Sequence, residues 1–312
     1  MIGDEAFLPR NASTQAALFT LQEWQFGALK FEAGARYEHA VAQALPDLKQ
    51  QQFSRLRRNF DTLSGALGAA AEVRPGWKIG INLSRTERAP AAEELFANGP
   101  HAGTEAFEIG DPELKAERAA SVEAILRGNG SGYSLEASLY HTWFSNFVFD
   151  ERTGAVEDGL PVYRIRQASA RYYGFELQAR ATLADWAGIR FNADAMADWV
   201  HADIAAIGPA PRIPPLRMLG GLGVAAARWD LRGEVEHVTG QGRIARNETP
   251  TPAYTMVNLE MGWRPWGEDR PLSLVLTVSN LFDVEARRHA SFLKDYAPLA
   301  GRDIRLTLWL EL

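Results

Sequence analysis

The sequence predicts an all-β chain: an antiparallel, up-and-down transmembrane β-barrel wall. Three observations carry this. Long runs alternate apolar and polar residues with period two, which gives a strand one oily and one wet face. The links between runs alternate short and long, as in bacterial outer-membrane barrels. No apolar run approaches the roughly 20 residues that a membrane helix needs, although 46% of the 312 residues are hydrophobic.

Thirteen candidate strands follow in order: 13–24, 27–39, 61–73, 76–86, 117–128, 132–149, 163–183, 187–200, 216–227, 230–240, 254–263, 271–280 and 303–312. Most match the roughly 9–11 residues of a tilted membrane strand rather than the roughly 5–6 of a globular one. In the fourth, Trp77, Ile79, Ile81 and Leu83 oppose Lys78, Asn82 and Ser84. In the fifth, Val122, Ala124 and Leu126 oppose Glu123 and Arg127. In the seventh, Tyr173, Phe175, Leu177, Ala179, Ala181 and Leu183 oppose Glu176, Gln178, Arg180 and Thr182. The twelfth alternates Leu272, Leu274, Leu276 and Val278 with Ser273, Val275, Thr277 and Ser279. The last sets Ile304, Leu306, Leu308, Leu310 and Leu312 against Arg305, Thr307, Trp309 and Glu311.

Short links are expected at Gln25-Phe26, Arg74-Pro75, Asn129-Gly130-Ser131, Ala184-Asp185-Trp186 and Arg228-Trp229. Long links are expected at 40–60, 87–116, 150–162, 201–215, 241–253 and 281–302, and 264–270 is intermediate. The long links then lie on the cell exterior, and residues 1–12 come from an exterior loop. An odd strand count leaves the first and last strands running the same way, so an isolated sheet either has two open edges, which favour aggregation, or closes through a parallel seam.

Composition narrows the function classes. The net charge of -6 argues against a nucleic-acid surface. The absence of cysteine removes disulfides and thiolate metal sites. Met1-Ile2-Gly3-Asp4-Glu5 has neither the basic nor the apolar region of a signal peptide, and an outer-membrane protein must be exported. The expectation is that residues 1–312 are the C-terminal portion of a longer protein. Glu93-Glu94 has no nucleophile or oriented base beside it, so no enzyme is expected.

Two stretches carry a family resemblance. One runs from Arg88 and Pro90 through Glu94, Leu95, Gly110, Pro112 and Leu114 to Glu117. The other is Asn280-Leu281-Phe282-Asp283, then His289-Ala290-Ser291-Phe292-Leu293, then Gly301-Arg302. The chain resembles the C-terminal barrel of TonB-dependent outer-membrane receptors and is similar to their zinc-uptake branch. It departs in ending on Leu312, where those barrels usually end in an aromatic residue. The resemblance implies about 13 of the family's 22 strands with no plug domain. It also implies the bacterial outer membrane and active uptake of a scarce nutrient, with zinc or another metal or metal chelate as cargo rather than cofactor. Implied partners are the TonB complex through a plug outside this chain, the barrel-insertion machinery reading Leu306, Leu308, Leu310 and Leu312, and lipopolysaccharide and outer-membrane lipid. Without the resemblance, Pro90, Gly110 and Pro112 set turns, and Glu87, Glu93 and Glu94 cap a short helix. A passive porin and a soluble β-protein are the alternative classes. The signature loop speaks against the first, and Arg and Glu on alternate strand positions speak against the second.

His101 is the leading metal or substrate candidate, with Glu94, Glu105 and Glu108 near in sequence, and His289 is the second. His39, His141, His201 and His237 share the parity of the apolar face and are expected to point toward lipid. No HxxxH or HExxH spacing occurs. Arg55, Arg57 and Arg58 make the 40–60 loop basic, suited either to lipopolysaccharide phosphates or simply to solvent. Glu123, Arg127, Glu136, Glu176, Arg180, Arg190, Asp194, Asp198, Arg232, Glu234, Glu236, Glu260 and Arg305 are expected to face a wet interior and a plug.

Overall fold

The computed structural model describes residues 6–47, 50–266 and 272–310. The strands are β1 (Asn11–Phe26), β2 (Leu29–Ala44), β3 (Leu56–Arg74), β4 (Trp77–Arg88), β5 (Asn98–His101), β6 (Ala106–Ile109), β7 (Glu117–Gly130), β8 (Tyr133–Glu157), β9 (Leu160–Trp186), β10 (Ile189–Ile204), β11 (Gly208–Pro209), β12 (Arg217–Ala226), β13 (Trp229–Val238), β14 (Tyr254–Trp263), β15 (Leu272–Ser279) and β16 (Asp303–Leu310). Among the described residues one helix, α1 (Ala92–Phe96), lies between β4 and β5. The wall follows chain order, β1-β2-β3-β4-β7-β8-β9-β10-β12-β13-β14-β15-β16, so all thirteen expected strands are present. Neighbours in the wall are antiparallel throughout. Among the described residues β1 and β16 each have one partner, so the sheet is open.

Register separates two faces along the wall, interrupted by bulges at Glu72/Arg74, Phe144/Phe147, Arg152/Val156 and Phe191/Asn192. Tyr37 pairs Leu63, Leu67 pairs Leu83, Leu83 pairs Val122, Leu139 pairs Phe175 and Leu276 pairs Leu306. These residues share one side, and it is widely exposed: Leu67 is 61%, Leu139 63% and Leu306 68% accessible. Large apolar side chains that stay exposed over a whole sheet face need an apolar surround. The other side carries the expected charges, with Glu176 opposite Asp198, Arg232 opposite Glu260 and Thr277 opposite Arg305. His39, His141, His201 and His237 pair Asp61, Tyr173, Tyr173 and Thr255 on the outer face, as their parity requires.

The structure corrects the links. The short turns centre about one to three residues later than expected, at Gly27-Ala28, Pro75-Gly76, Ser131-Gly132 and Ala187-Gly188, or one earlier at Ala227-Arg228. Alternation does not mark where a strand stops; positive φ does. Ala187 (φ 53) and Gly188 (φ 77) make a turn with both central residues left-handed, which suits the twist of a two-residue hairpin. The same device removes the expected loop 150–162. Asp158 (φ 52) and Gly159 (φ 78) turn β8 directly into β9, so a long two-stranded hairpin rises beyond the wall. The remaining long loops fold inward. Ala40, Ala42, Ala44 and Phe60 on the inner face pack with Leu95, Phe96 and Leu114 of the 89–116 loop. That loop therefore sits inside the mouth of the wall, and β6 pairs in parallel with β9 at its far end.

Candidate functional site

The signature stretch is held by a few polar contacts of long reach. The Arg88 guanidinium donates to both oxygens of Glu94, at 2.8 and 3.1 Å, and lies 3.4 Å from Glu117. Glu94 Oε2 also accepts the Ala91 N–H at 2.7 Å, which closes the first turn of α1. Glu117 accepts the Val148 N–H at 2.7 Å and so ties the loop to β8. Leu95 and Leu114 are 1% exposed. Gly110 donates to the Ala97 carbonyl at 2.8 Å, and a Cβ there would lie 2.9 Å from three backbone atoms of the α1 segment. Only glycine permits that approach. Pro90 and Pro112 flank this knot at its two ends.

The second motif is a loop clasp. Asn280 is left-handed (φ 51) and buried. Its amide donates to the Val284 carbonyl at 2.8 Å, and its side-chain oxygen accepts the Val284 N–H at 2.9 Å. Asp283 accepts the Arg302 N–H at 2.8 Å, and a Cβ on Gly301 would fall 2.7 Å from its Oδ1. Arg302 reaches the Leu281 carbonyl at 3.4 Å, while Phe282 is 68% exposed. Leu306, Leu308 and Leu310 form the outer row of β16; Leu312 lies outside the described residues.

The five metal candidates fall in three places. His101 Nδ1 meets Glu108 Oε1 at 2.9 Å, and its ring stacks on Phe7 with centroids 4.2 Å apart. Thr104 donates to the same Glu108 oxygen at 2.7 Å. Glu105 turns the chain at φ 49, and Glu94 is committed to Arg88. His289 is buried elsewhere, with Thr251 Oγ1 at 3.0 Å from Nδ1 and Glu248 Oε1 at 3.3 Å from Nε2. The Nε2 is without a hydrogen bond, so the Glu248 contact is an ion-pair distance with poor alignment. Among the described residues no group of three or more His, Asp or Glu is placed to hold a metal ion.

The most elaborate polar assembly was not visible in the sequence. A cleft between the β8–β9 hairpin and the 205–215, 241–253 and 281–302 loops is lined by Asp150, Arg152, Tyr163, Arg212, Phe292 and Lys294 among others. Arg212 pairs with Asp150 at 2.5 Å and lies 3.9 Å over the Phe292 ring. Burial raises the Glu248 carboxyl, but His289 and the Ala245 and Arg212 N–H groups outweigh it and hold it below the usual carboxylate range. Burial likewise raises Asp295, and the Thr249 hydroxyl at 2.5 Å and Lys294 bring it down. Arg212 lies 36 residues from Glu248 and 62 from Asp150 in chain, so no local motif signals these long-range pairs.

The inner wall is a lattice of paired charges. Arg127 meets Glu136 at 2.8 Å, Arg232 bridges Asp194 and Glu234 at 2.8 and 2.9 Å, and Arg217 meets Glu236 at 2.6 Å. In the 40–60 loop, Arg58 is bound to the Leu114 carbonyl at 3.0 Å and Arg57 to Asn59 at 3.3 Å, while Arg55 is exposed.

The family model described as TonB dependent receptor-like, beta-barrel matches residues 3–281. The chain is similar in structure to the copper transporter OprC, at TM-score 0.81 and 19% identity, over 96% of this chain and 48% of that one. It is similar to the FrpB iron transporter of Neisseria meningitidis, at TM-score 0.72 and 15% identity, over 96% and 45%. It is also similar to the ferric citrate transporter FecA in the unliganded form, at TM-score 0.73 and 16% identity, over 96% and 45%. The chain spans about half the length of these structures.

Proposed function

This chain belongs to the TonB-dependent receptor-like β-barrel family, a family of transporters and receptors rather than enzymes, and from that premise we propose that it forms the wall and exterior mouth of an outer-membrane receptor that takes up a scarce metal nutrient. The observation that carries the reading is the two-faced wall. Its outer face is oily over its height, its inner face is a lattice of ion pairs, and its mouth is narrowed by the 89–116 loop packed against inner-face alanines. A wetted inner wall suits a plug and a passing solute; an oily outer wall suits lipid.

TonB is the proposed source of energy, acting on a plug that this chain does not contribute. The proposed cargo is a metal chelate, with zinc the first ion to test. The His101–Glu108 pair offers one nitrogen and one carboxylate, fewer than the four ligands a structural zinc site holds. A chelate that brings its own ligands needs no more than this. The copper and iron named for the similar transporters support a metal cargo.

The wall reading is tested by extracting the folded chain in detergent and following its gel migration with and without heating. A heat-modifiable band is expected, and a chain that stays soluble without detergent refutes it. The cargo reading is tested by zinc titration of the folded chain with and without His101→Ala. Weaker binding in the variant is expected, and unchanged affinity removes His101 from the site.

A further inference from the structure

We propose that residues 6–9 form a strap that, together with Glu108, holds the His101 ring so that its Nε2 alone is presented, as the single ligand for a metal chelate with an open coordination position. The proposal rests on the reading of His101 as a contact for the cargo. It deepens that reading by assigning Phe7 and Glu108 as positioning residues, which act on the cargo through the imidazole.

The strap is seated as a strand is. The Asn98 N–H donates to the Phe7 carbonyl at 2.8 Å, so the strap lies along the edge of β5 that β6 leaves free. Because β6 also pairs with β9, the strap is tied through this small sheet to the wall. Gly99 makes the close approach possible: a Cβ there would lie 2.8 Å from the Phe7 Cα and 2.9 Å from the Ala6 carbonyl oxygen. Ala6 is buried, and Leu8 packs against the Leu95 cluster. The Arg10 carbonyl then accepts the Leu45 N–H at 2.7 Å, just before β1 begins. Phe7 is thus anchored before and after, and its ring lies parallel to the imidazole of His101, at 1° and 4.2 Å between centroids.

Glu108 removes the remaining freedom of the ring. Its Oε1 lies 2.9 Å from His101 Nδ1 and accepts the Thr104 hydroxyl at 2.7 Å. A carboxylate only accepts, so Nδ1 is the donor, and in the neutral ring Nε2 keeps its lone pair. No Lys or Arg pairs with Glu108 among the described residues, so its charge is spent on this ring. Nε2 makes no hydrogen bond among the described residues. A Cβ on Gly103 would stand 3.3 Å from Nε2, and glycine leaves that approach open. An imidazole that donates its other N–H to a carboxylate is oriented and made more basic as a metal ligand. One nitrogen grips a bare ion weakly, but it completes a chelate that has a position open.

The test titrates the full chain in detergent with two probes. Zinc nitrilotriacetate leaves positions on the metal open, and zinc ethylenediaminetetraacetate leaves none; the binding lost in His101→Ala is the signal. Nitrogen NMR shifts of the histidine-labelled chain, with the His101 signals identified by the same variant, report which ring nitrogen carries the proton. His101-dependent binding of the open chelate alone is expected, with the proton on Nδ1 in the free protein. Glu108→Ala is expected to bind about ten- to a hundredfold more weakly and to lose the Nδ1–H preference. Glu108→Gln, whose amide oxygen still accepts, is expected to keep that tautomer and more of the binding. Phe7→Ala is expected to keep the tautomer and to bind roughly twofold to tenfold more weakly. A proton on Nε2 in the wild type, or Glu108→Gln as weak as Glu108→Ala, overturns the role of Glu108. Wild-type affinity in Phe7→Ala overturns the strap, and equal His101-dependent binding of both chelates overturns the open-position ligand. If His101→Ala binds the open chelate as the wild type does, the cargo reading falls and the proposal with it. Should Glu108→Ala fail to fold, the wild-type tautomer, the two chelates and Phe7→Ala decide.

Discussion

Leu95→Ala tests whether the signature loop is held in the mouth by packing. Leu95 is 1% exposed, and it packs with Phe96, Leu114 and Phe60 against a floor of Ala40, Ala42 and Ala44. The alanine floor cannot fill the space left behind, and neither can α1, which the Arg88–Glu94 pair and the Ala91 N–H contact fix in place. Truncating a fully buried leucine costs about 2–5 kcal/mol. The wall strands have their own ladders, so the loss falls on loop opening rather than on global unfolding. At about 1.4 kcal/mol per tenfold, the opening equilibrium rises by roughly thirtyfold at the low end. Amide hydrogen exchange of residues 89–116 in the detergent-folded chain reads this directly. Faster exchange confined to those residues, with β12 to β14 unchanged, is the expected result. Unchanged protection of the loop, or equal loss across the wall, refutes the reasoning.

Three further outcomes follow from particular contacts. Gly110→Ala forces a methyl to within 2.9 Å of backbone on α1; backbone cannot yield as a side chain does, so a cost of about 1–3 kcal/mol is expected, read as the same loop opening. Glu248 and Asp295 have folded-state pKa values below their usual ones. Their stabilisation is therefore present above the unfolded carboxylate pKa and lost as pH falls through the folded one. Proteolytic resistance of the 241–253 and 281–302 loops is expected to drop in that acid range, and a Glu248→Gln/Asp295→Asn variant is expected to show a flatter pH profile. Leu308→Arg puts a charge on the lipid face of β16, at a cost of about 2–4 kcal/mol if it lies near mid-membrane, whereas Thr307→Arg on the inner face is expected to be nearly silent. Urea unfolding from lipid vesicles compares the two.

The wall was legible because its physics is local in sequence. Leu276 and Leu306 belong to different strands, yet each shows its face through its own neighbours two residues away. Strand ends were less legible, since alternation runs on through Asn129 and Gly130 until a turn stops it. The 150–162 segment lacks the alternation of a strand, and Asp158-Gly159, a turn pair that joins strands, is its one local sign of a hairpin. Arg88, Glu94 and Glu117 stand out in the sequence as a motif, but their role as the tie between α1, β4 and β8 arises only from contacts made in the fold. The Arg212, Asp150, Glu248, His289 assembly was invisible, because Asp150 comes from β8, the other three come from three different loops, and none repeats a spacing. His101 and Glu108 do meet, and Glu94 does not join them because Arg88 claims both of its oxygens.

The central claim is that residues alternate between lipid and water along every wall strand. A chain without native cysteine lends itself to single-cysteine labelling. In β14, Val257, Leu259 and Met261 lie on the outer face, and Asn258 and Glu260 on the inner. Cysteines placed singly at these five positions in vesicle-reconstituted chain are to be treated with a membrane-impermeant maleimide. Labelling at 258 and 260 with protection at 257, 259 and 261 is predicted; the reverse pattern, or uniform labelling along the strand, contradicts the account.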